Sequence, residues 1–242
     1  MAKRRNITGL VAAITVVVCW LGAEISLLLF AEIARPTDLI WAVPSVLAMT
    51  FLHTGLFITA HDAMHGTVAP NSPRLNSWVG TMAVTLYALF SYRKLHHKHH
   101  EHHARPGIPG ADPDFHDGAR RGFWAWYAHF VWSYVGVLQI LGMAFVFNVL
   151  SHGLHVAEPR LVLFWVVPAL LSTLQLFYFG TYLPHREPHA CDDPHRARSN
   201  AYPAWLSFLT CYHFGYHREH HEHPHVPWWA LPRVRETGPR EG

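Results

Sequence analysis

The chain has 242 residues, half of them hydrophobic and 14% charged, with a net charge of +3 when histidine is neutral. That charge is too small to address nucleic acid, and three scattered cysteines (Cys19, Cys191, Cys211) form neither a disulfide framework nor a zinc ribbon. The apolar residues come in long runs, so the length describes membrane segments and not a globule.

The chain opens on MAKRR and an apolar run. The run is too long for a signal peptide, and residues 7–31 read as a first transmembrane helix. Residues 39–60 read as a second span, with Pro44 tolerated inside it. That span ends on HDAMH, where His61 and His65, four apart, share one helix face. Residues 77–92 supply about 16 apolar positions, short of the roughly 17–25 a span needs. They are expected to dip into the membrane and return, or to lie in its interface. HHKHHEHH follows at 96–103 and holds HxxHH in two registers: His96, His99, His100 and His99, His102, His103. Residues 104–122 read as a loop. Residues 123–150 read as a third span and 161–183 as a fourth. A loop at 186–200 leads to HREHHEHPH, with His217, His220 and His221 as HxxHH and His213 just upstream. The polar tail after Trp229 is short.

With Lys3, Arg4 and Arg5 in the cytoplasm, this order brings every histidine cluster to the cytoplasmic face. All but Arg35 and Arg160 of the 19 Lys and Arg fall on that side too.

Neutral imidazole is a ligand for iron, zinc, copper or nickel, and three such clusters suffice for two metal ions. A solvated tract that binds stray metal is the plain reading of any one cluster. Three clusters converging on one membrane face argue against it. Adjacent histidines on a helix point about 100° apart, so an HH pair is expected to serve two metals and an HxxH pair one. Glu101, Glu219 and Glu222 interleave with the rings and can fix their tautomers or stay solvated. Asp62 lies between two candidate ligands. Asp112 and Asp114 either close over the site or cap a loop. Trp78, Tyr87, Phe90, Trp124, Trp126, Phe177 and Tyr178 could line a tunnel, but ordinary helix packing is the simpler reading of each. Trp228 and Trp229 read as interfacial anchors. Helix–helix hydrogen bonds account for His53 and His129.

HDAMHG, KHHEHH followed by ADPDF, FGTYLPHR, and YHFGYHREHHEHPHVPWW together resemble the bacterial β-carotene ketolases, within the membrane-bound fatty-acid desaturase and hydroxylase superfamily of non-haem di-iron enzymes. The likeness runs from about Thr59 to Pro232. It implies one membrane-embedded all-α domain over 1–242, with four transmembrane helices, a re-entrant or interfacial segment and a cytoplasmic di-iron site. The implied ligands are His61, His65, His99, His102, His103, His185, His217, His220 and His221. Acyl desaturases carry asparagine four residues before the equivalent of His185; Thr181 stands there. His96, His97 and His100 are left over. Asp62 and Glu219 are the candidates for orienting ligands.

The resemblance further implies O2-dependent oxidation of carbon 4 of a β-ionone ring to a ketone, by two hydroxylations and loss of water. β-Carotene would pass through echinenone to canthaxanthin. The substrate would come from the bilayer of the inner membrane, and electrons from reduced ferredoxin and its reductase. The sequence has no Gly-rich nucleotide fingerprint and no cysteine set for an iron–sulfur cluster. A carotenoid 3-hydroxylase or an acyl-lipid desaturase would share the metal set. The non-enzyme alternative, a metal transporter, would place its ligands near the bilayer midplane.

Overall fold

The computed structural model describes residues 7–187 and 193–237, and all regular structure among them is helical. Lys3, Arg4 and Arg5, on which the expected orientation rests, lie outside the described residues, as do Cys191 and the end of the tail.

Helix α1 (Thr8–Phe30) buries Ala13, Val17, Trp20 and Leu28 and exposes Val11, Ile14, Val18, Ile25 and Leu29. An apolar outer face with every backbone group bonded inside the helix suits a hydrocarbon solvent. Helix α2 (Leu39–Met64) is the centre of the bundle and packs on α1, α3 and α7. Helix α7 (Glu158–His185) is one rod containing two π-helical stretches, Leu161–Val166 and Tyr178–Tyr182. These three segments are long and apolar enough to cross a membrane.

Helix α3 (Pro73–Ala88) and helix α4 (Tyr92–Ala104) form a hairpin. Leu89 takes the left-handed conformation (φ 57°), and the N–H groups of Leu89 and Phe90 bond back to the carbonyls of Thr85 and Val84 at 3.0 and 3.2 Å. That closes α3 and reverses the chain. The hairpin reaches the depth of His53, whose ring lies 6.2 Å from that of Tyr87. It has returned by Tyr92, which fills the space over Gly80; a Cβ there would meet the Tyr92 ring at 2.3 Å. The segment expected to dip or lie in the interface is thus the first arm and turn of a helical hairpin within the bundle.

Residues 123–150, expected to form one span, are bent in the middle. Helix α5 (Phe123–Tyr134) and helix α6 (Val137–Asn148), which continues as a π turn to Gly153, meet at 86°. Val135 and Gly136 are extended (ψ 137° and 152°), and the Gln139 side chain takes up the Gly136 N–H at 3.4 Å. An apolar composition records the depth of such a segment and not its direction. Among the described residues there are four candidate spans if the bent pair counts as one crossing, otherwise three.

At the end of the bundle away from the histidines, Leu28, Ala31, Ala42, Val156, Leu161 and Phe164 pack together. There Arg160 donates to the carbonyls of Leu28 and Leu29 at 3.3 and 2.8 Å, satisfying the C-terminus of α1. Midway, Thr54 Oγ1 meets Ser172 Oγ at 2.9 Å and donates to Gln175 Oε1, and Tyr87 Oη meets Ser172 Oγ at 3.2 Å. These bonds tie α2, α3 and α7 where hydrophobic burial gives helices no preference for one another over lipid.

Candidate metal centre

Four helical segments deliver the candidate ligands to one end of the bundle. The last turns of α2 carry His61 and His65. The last turns of α4 carry His99, His102 and His103. His185 is the final residue of α7, just after a π stretch that resets the helix face. Helix α8 (Ala204–Cys211) ends on Tyr212 and His213, both left-handed (φ 48° and 62°). That turn starts the six-residue helix α9 (His217–Glu222), which carries His217, His220 and His221.

The rings gather into two sets. His61, His65, His99 and His220 form one; His102, His185, His217 and His221 form the other, and within each set the ligand nitrogens lie within 4.8 Å of one another. His103 sits between them, its Nε2 3.0 Å from His220 Nε2 and its ring stacked on His221 at 4.3 Å. All nine histidines singled out from the sequence are thus brought together. Of the rest, His96 and His100 stack on each other at 4.3 Å, with His100 6.0 Å from the His65 ring and exposed.

The allocation differs from the expected one. Each set takes an i,i+4 pair, His61 with His65 and His217 with His221, while the HxxH pair His217 and His220 is split between sets. Four residues advance a helix by about 40° past a full turn, whereas three fall about 60° short. Rings at i,i+4 therefore converge on one point more readily. The adjacent pair His220 and His221 is divided, as expected.

The chemistry of the rings fits a metal. Burial first, then the neighbouring imidazoles, pushes His65 and His103 down to about 2. The same causes hold His99, His217, His220 and His221 well below the usual range. Neutral rings each keep a lone pair. His102 is the exception: burial lowers it, but the carboxylates of Asp112 and Asp114 outweigh burial and raise it to about 9.

In the second set the tautomers are fixed by partners. His102 Nδ1 faces both oxygens of Asp112 at 2.9 and 3.0 Å, and His185 Nδ1 faces the Arg196 carbonyl at 2.9 Å. Both must donate through Nδ1, so each can offer a lone pair only at Nε2, His102 after releasing the second proton that its carboxylates favour. Those lone pairs point at His221 Nε2 (3.1 Å) and His217 Nε2 (2.9 Å), and the latter two are 3.0 Å apart. Several lone pairs aimed at one buried point call for a cation between them.

Asp112 is the orienting residue that the sequence reading left undecided. Its carboxylate also accepts from the N–H groups of Gly107 (2.7 Å) and Asp114 (2.9 Å), so it both folds its loop and holds a ring. Of the two orienting candidates, Asp62 Oδ1 lies 3.6 Å from His61 Nδ1, and Oδ2 accepts from the Trp228 N–H at 3.2 Å. It ties the segment after α9 to α2. Glu219 does not reach a ligand ring: its carboxylate accepts from Ser199 Oγ and pairs with Arg235 at 2.9 Å. It lies on the outer face of α9, whose inner face is occupied by the histidines. Glu101 pairs with His97 and Glu222 with Arg218.

A cavity of about 720 Å³, mouth included, opens onto both sets through His61, His99, His102 and His217. Its walls include Phe57, Tyr87, Phe90, Phe130, Leu176 and Phe214, and Thr181 also lines it. Of the aromatics proposed from sequence, only Tyr87 and Phe90 line it. Trp78 and Trp124 are 62% and 68% exposed. Trp126 and Phe177 are buried with Phe115 behind the wall, and Tyr178 points outward. Phe57, Phe130 and Phe214 escaped the sequence reading because their facing depends on the hairpin and on the bend at Gly136.

A family model described as fatty acid desaturase matches residues 38–160 and 132–240. A protein of Paracoccus sp. (strain PC1) named beta-carotene ketolase is 47% identical over 237 residues, which cover 96% of this chain and 93% of that protein. A beta-carotene ketolase of Paracoccus sp. (strain N81106 / MBIC 01143) is 43% identical over 235 residues, with the same coverage. A zeaxanthin 4-ketolase of Chlamydomonas reinhardtii is 40% identical over 244 residues, which cover 96% of this chain and 54% of that protein.

Proposed function

The chain belongs to the fatty acid desaturase family, and from this we propose that it is a carotenoid 4-ketolase that converts the ring CH2 at carbon 4 to C=O. The observation that carries the reading is the cavity, largely apolar along its walls and open onto two sets of four buried or half-buried histidines. An apolar polyene enters such a cavity from lipid, and its ring end stops where the histidines are.

Two iron ions held by the two sets, with His103 between them, would supply the reductive activation of dioxygen. The other tasks belong to the chain. Asp112 and the Arg196 carbonyl keep His102 and His185 in the ligating tautomer. Phe57, Phe90 and Phe214 hold the ring and keep water from it. Each hydroxylation takes one O2, two electrons and two protons, placing one oxygen atom on carbon 4 and releasing the other as water. The second gives a gem-diol, which loses water to the ketone. The electrons come from an external one-electron donor, for which a ferredoxin with its reductase is the natural class. The positive-inside bias of the sequence supports an orientation with the histidine end at the cytoplasmic face of the inner membrane, and the reading takes 1–242 as one domain.

The test is pigment analysis by chromatography and mass spectrometry in cells that already make β-carotene. Ring carbonyls that appear with the wild-type chain and vanish with His220→Ala support the reading. Hydroxylated rings without carbonyls, or unchanged pigment with the protein in the membrane and a donor supplied, overturn it.

A further inference from the structure

The cavity wall carries one polar pair, Asp114 and Tyr134, among its apolar side chains. Tyr134 donates its phenolic hydrogen to Asp114 Oδ1. The backbone of Asp114 is clamped on both sides, its N–H donating to Asp112 at 2.9 Å and its carbonyl accepting from Trp126 Nε1 at 2.8 Å. The Lys98 ammonium sits over the Tyr134 ring, 5.0 Å from the centroid. The pair is therefore fixed. The other carboxylate oxygen, Oδ2, lies 3.8 Å from His102 Nδ1, too far for a hydrogen bond, and that nitrogen already serves Asp112. Among the described residues no hydrogen bond reaches Asp114 Oδ2, although the side chain is only 14% exposed.

We infer that Asp114, set in place by Tyr134, is the acceptor for a hydroxyl carried by the substrate ring at carbon 3, next to the carbon that is oxidised. The inference rests on the ketolase reading. A carboxylate is an acceptor only, so its open oxygen calls for a donor from whatever fills the cavity. A ring without a hydroxyl would bring that oxygen no donor, and sites built to bond a hydroxyl discriminate strongly against the analogue that lacks it.

The position fits the chemistry. Asp114 borders His102 of the second set, and carbon 4 is one bond from carbon 3. Anchoring the hydroxyl there turns carbon 4 toward the histidines. The other polar groups of the wall are occupied or weaker. Tyr87 Oη meets Ser172, and Thr173 Oγ1 meets Tyr127 Oη at 2.6 Å. Thr181 offers a neutral hydroxyl, and a bond to a charged acceptor is about twice as strong.

The experiment uses the full iron-loaded chain in lipid nanodiscs, with β-carotene and zeaxanthin (its 3,3′-dihydroxy form) as probes. Quenching of tryptophan fluorescence in the anaerobic, unreduced protein gives the two dissociation constants, and competition between the two gives the ratio of kcat/KM. Wild type is expected to prefer the hydroxylated probe about tenfold in both measures. Asp114→Asn and Tyr134→Phe are each expected to bring that ratio down toward one. A purely structural lesion lowers both probes alike and leaves the ratio where it was.

If Asp114→Asn fails to fold or to load iron, Tyr134→Phe carries the test. A wild type that oxidises both probes at carbon 4 without preference overturns this inference alone, as does a wild-type ratio in both variants. A wild type that oxidises neither overturns the ketolase reading and this inference with it.

Discussion

His102 and Asp112 are joined through Nδ1 of the ring, which faces the two carboxylate oxygens at 2.9 and 3.0 Å and leaves Nε2 aimed at His221. Removing the carboxylate frees the ring to rotate or to change tautomer. Asp112→Ala is expected to weaken iron binding by about 10–100-fold, with Asp112→Asn between it and wild type. Iron retained against a graded chelator series measures this. Full retention in Asp112→Ala would show that the ring needs no such partner.

The two sets share no histidine, so each can be emptied separately. His65→Ala and His221→Ala are each expected to leave about one iron per chain in place of two, and no turnover. His100→Ala, at the exposed ring beside His65, keeps both irons. Metal analysis of the three purified variants decides it; a loss of iron in His100→Ala would mean that the proposed ligand set is misdrawn.

Gly180 leaves room for Phe214: a Cβ at Gly180 would come within 2.1 Å of the Phe214 ring. That ring packs on His61 at 4.9 Å and on His217 at 5.4 Å, and it lines the cavity. Gly180→Ala is expected to destabilise the fold by about 1–3 kcal/mol and to cut turnover at least tenfold. Thermal melting and product analysis report the two effects. Wild-type turnover would mean that Phe214 moves without consequence for the cavity.

The Thr54 hydroxyl links α2 to both Ser172 and Gln175 on α7. Thr54→Val keeps the shape and removes the bonds. Interhelical bonds in membranes contribute about 0.6 kcal/mol on average, so the melting temperature should fall by a few degrees while iron content is unchanged. A lower iron content would reveal that the network reaches the metal site.

Glu24 is 6% exposed on a spanning helix, and neither carboxyl oxygen has a partner among the described residues. Burying a polar group without a partner costs stability. Glu24→Leu is therefore expected to melt at or above the wild-type temperature. A clear drop would point to a partner that forms in the membrane.

The histidines were readable as a set because three of the four ligand-bearing segments repeat a helical spacing, and His185 is marked by the FGTYLPHR motif. The spanning segments were readable because apolar runs have a length. What the sequence left open depends on direction. The bend at Val135 and Gly136 lies inside an unbroken apolar run, and nothing in its composition marks it. Glu219 and Asp112 are both acidic and both near the histidine clusters, yet only Asp112 faces a ring. The first lies on a helix whose inner side is already taken; the second sits on a loop that can turn to the site. The allocation of rings between the two sets was likewise a question of angle, and three-residue and four-residue spacings differ by one helical step.

Each set draws on three segments: α2, α4 and α9 for one, α4, α7 and α9 for the other. Helix α9 has six residues, too few to hold its shape alone, and it supplies both sets. Neither set is complete until residues 217–221 are in place, and these follow all the candidate spans among the described residues. Docking of α9 and filling of the two sets are therefore coupled: a metal that joined the rings would also hold this short helix against the bundle.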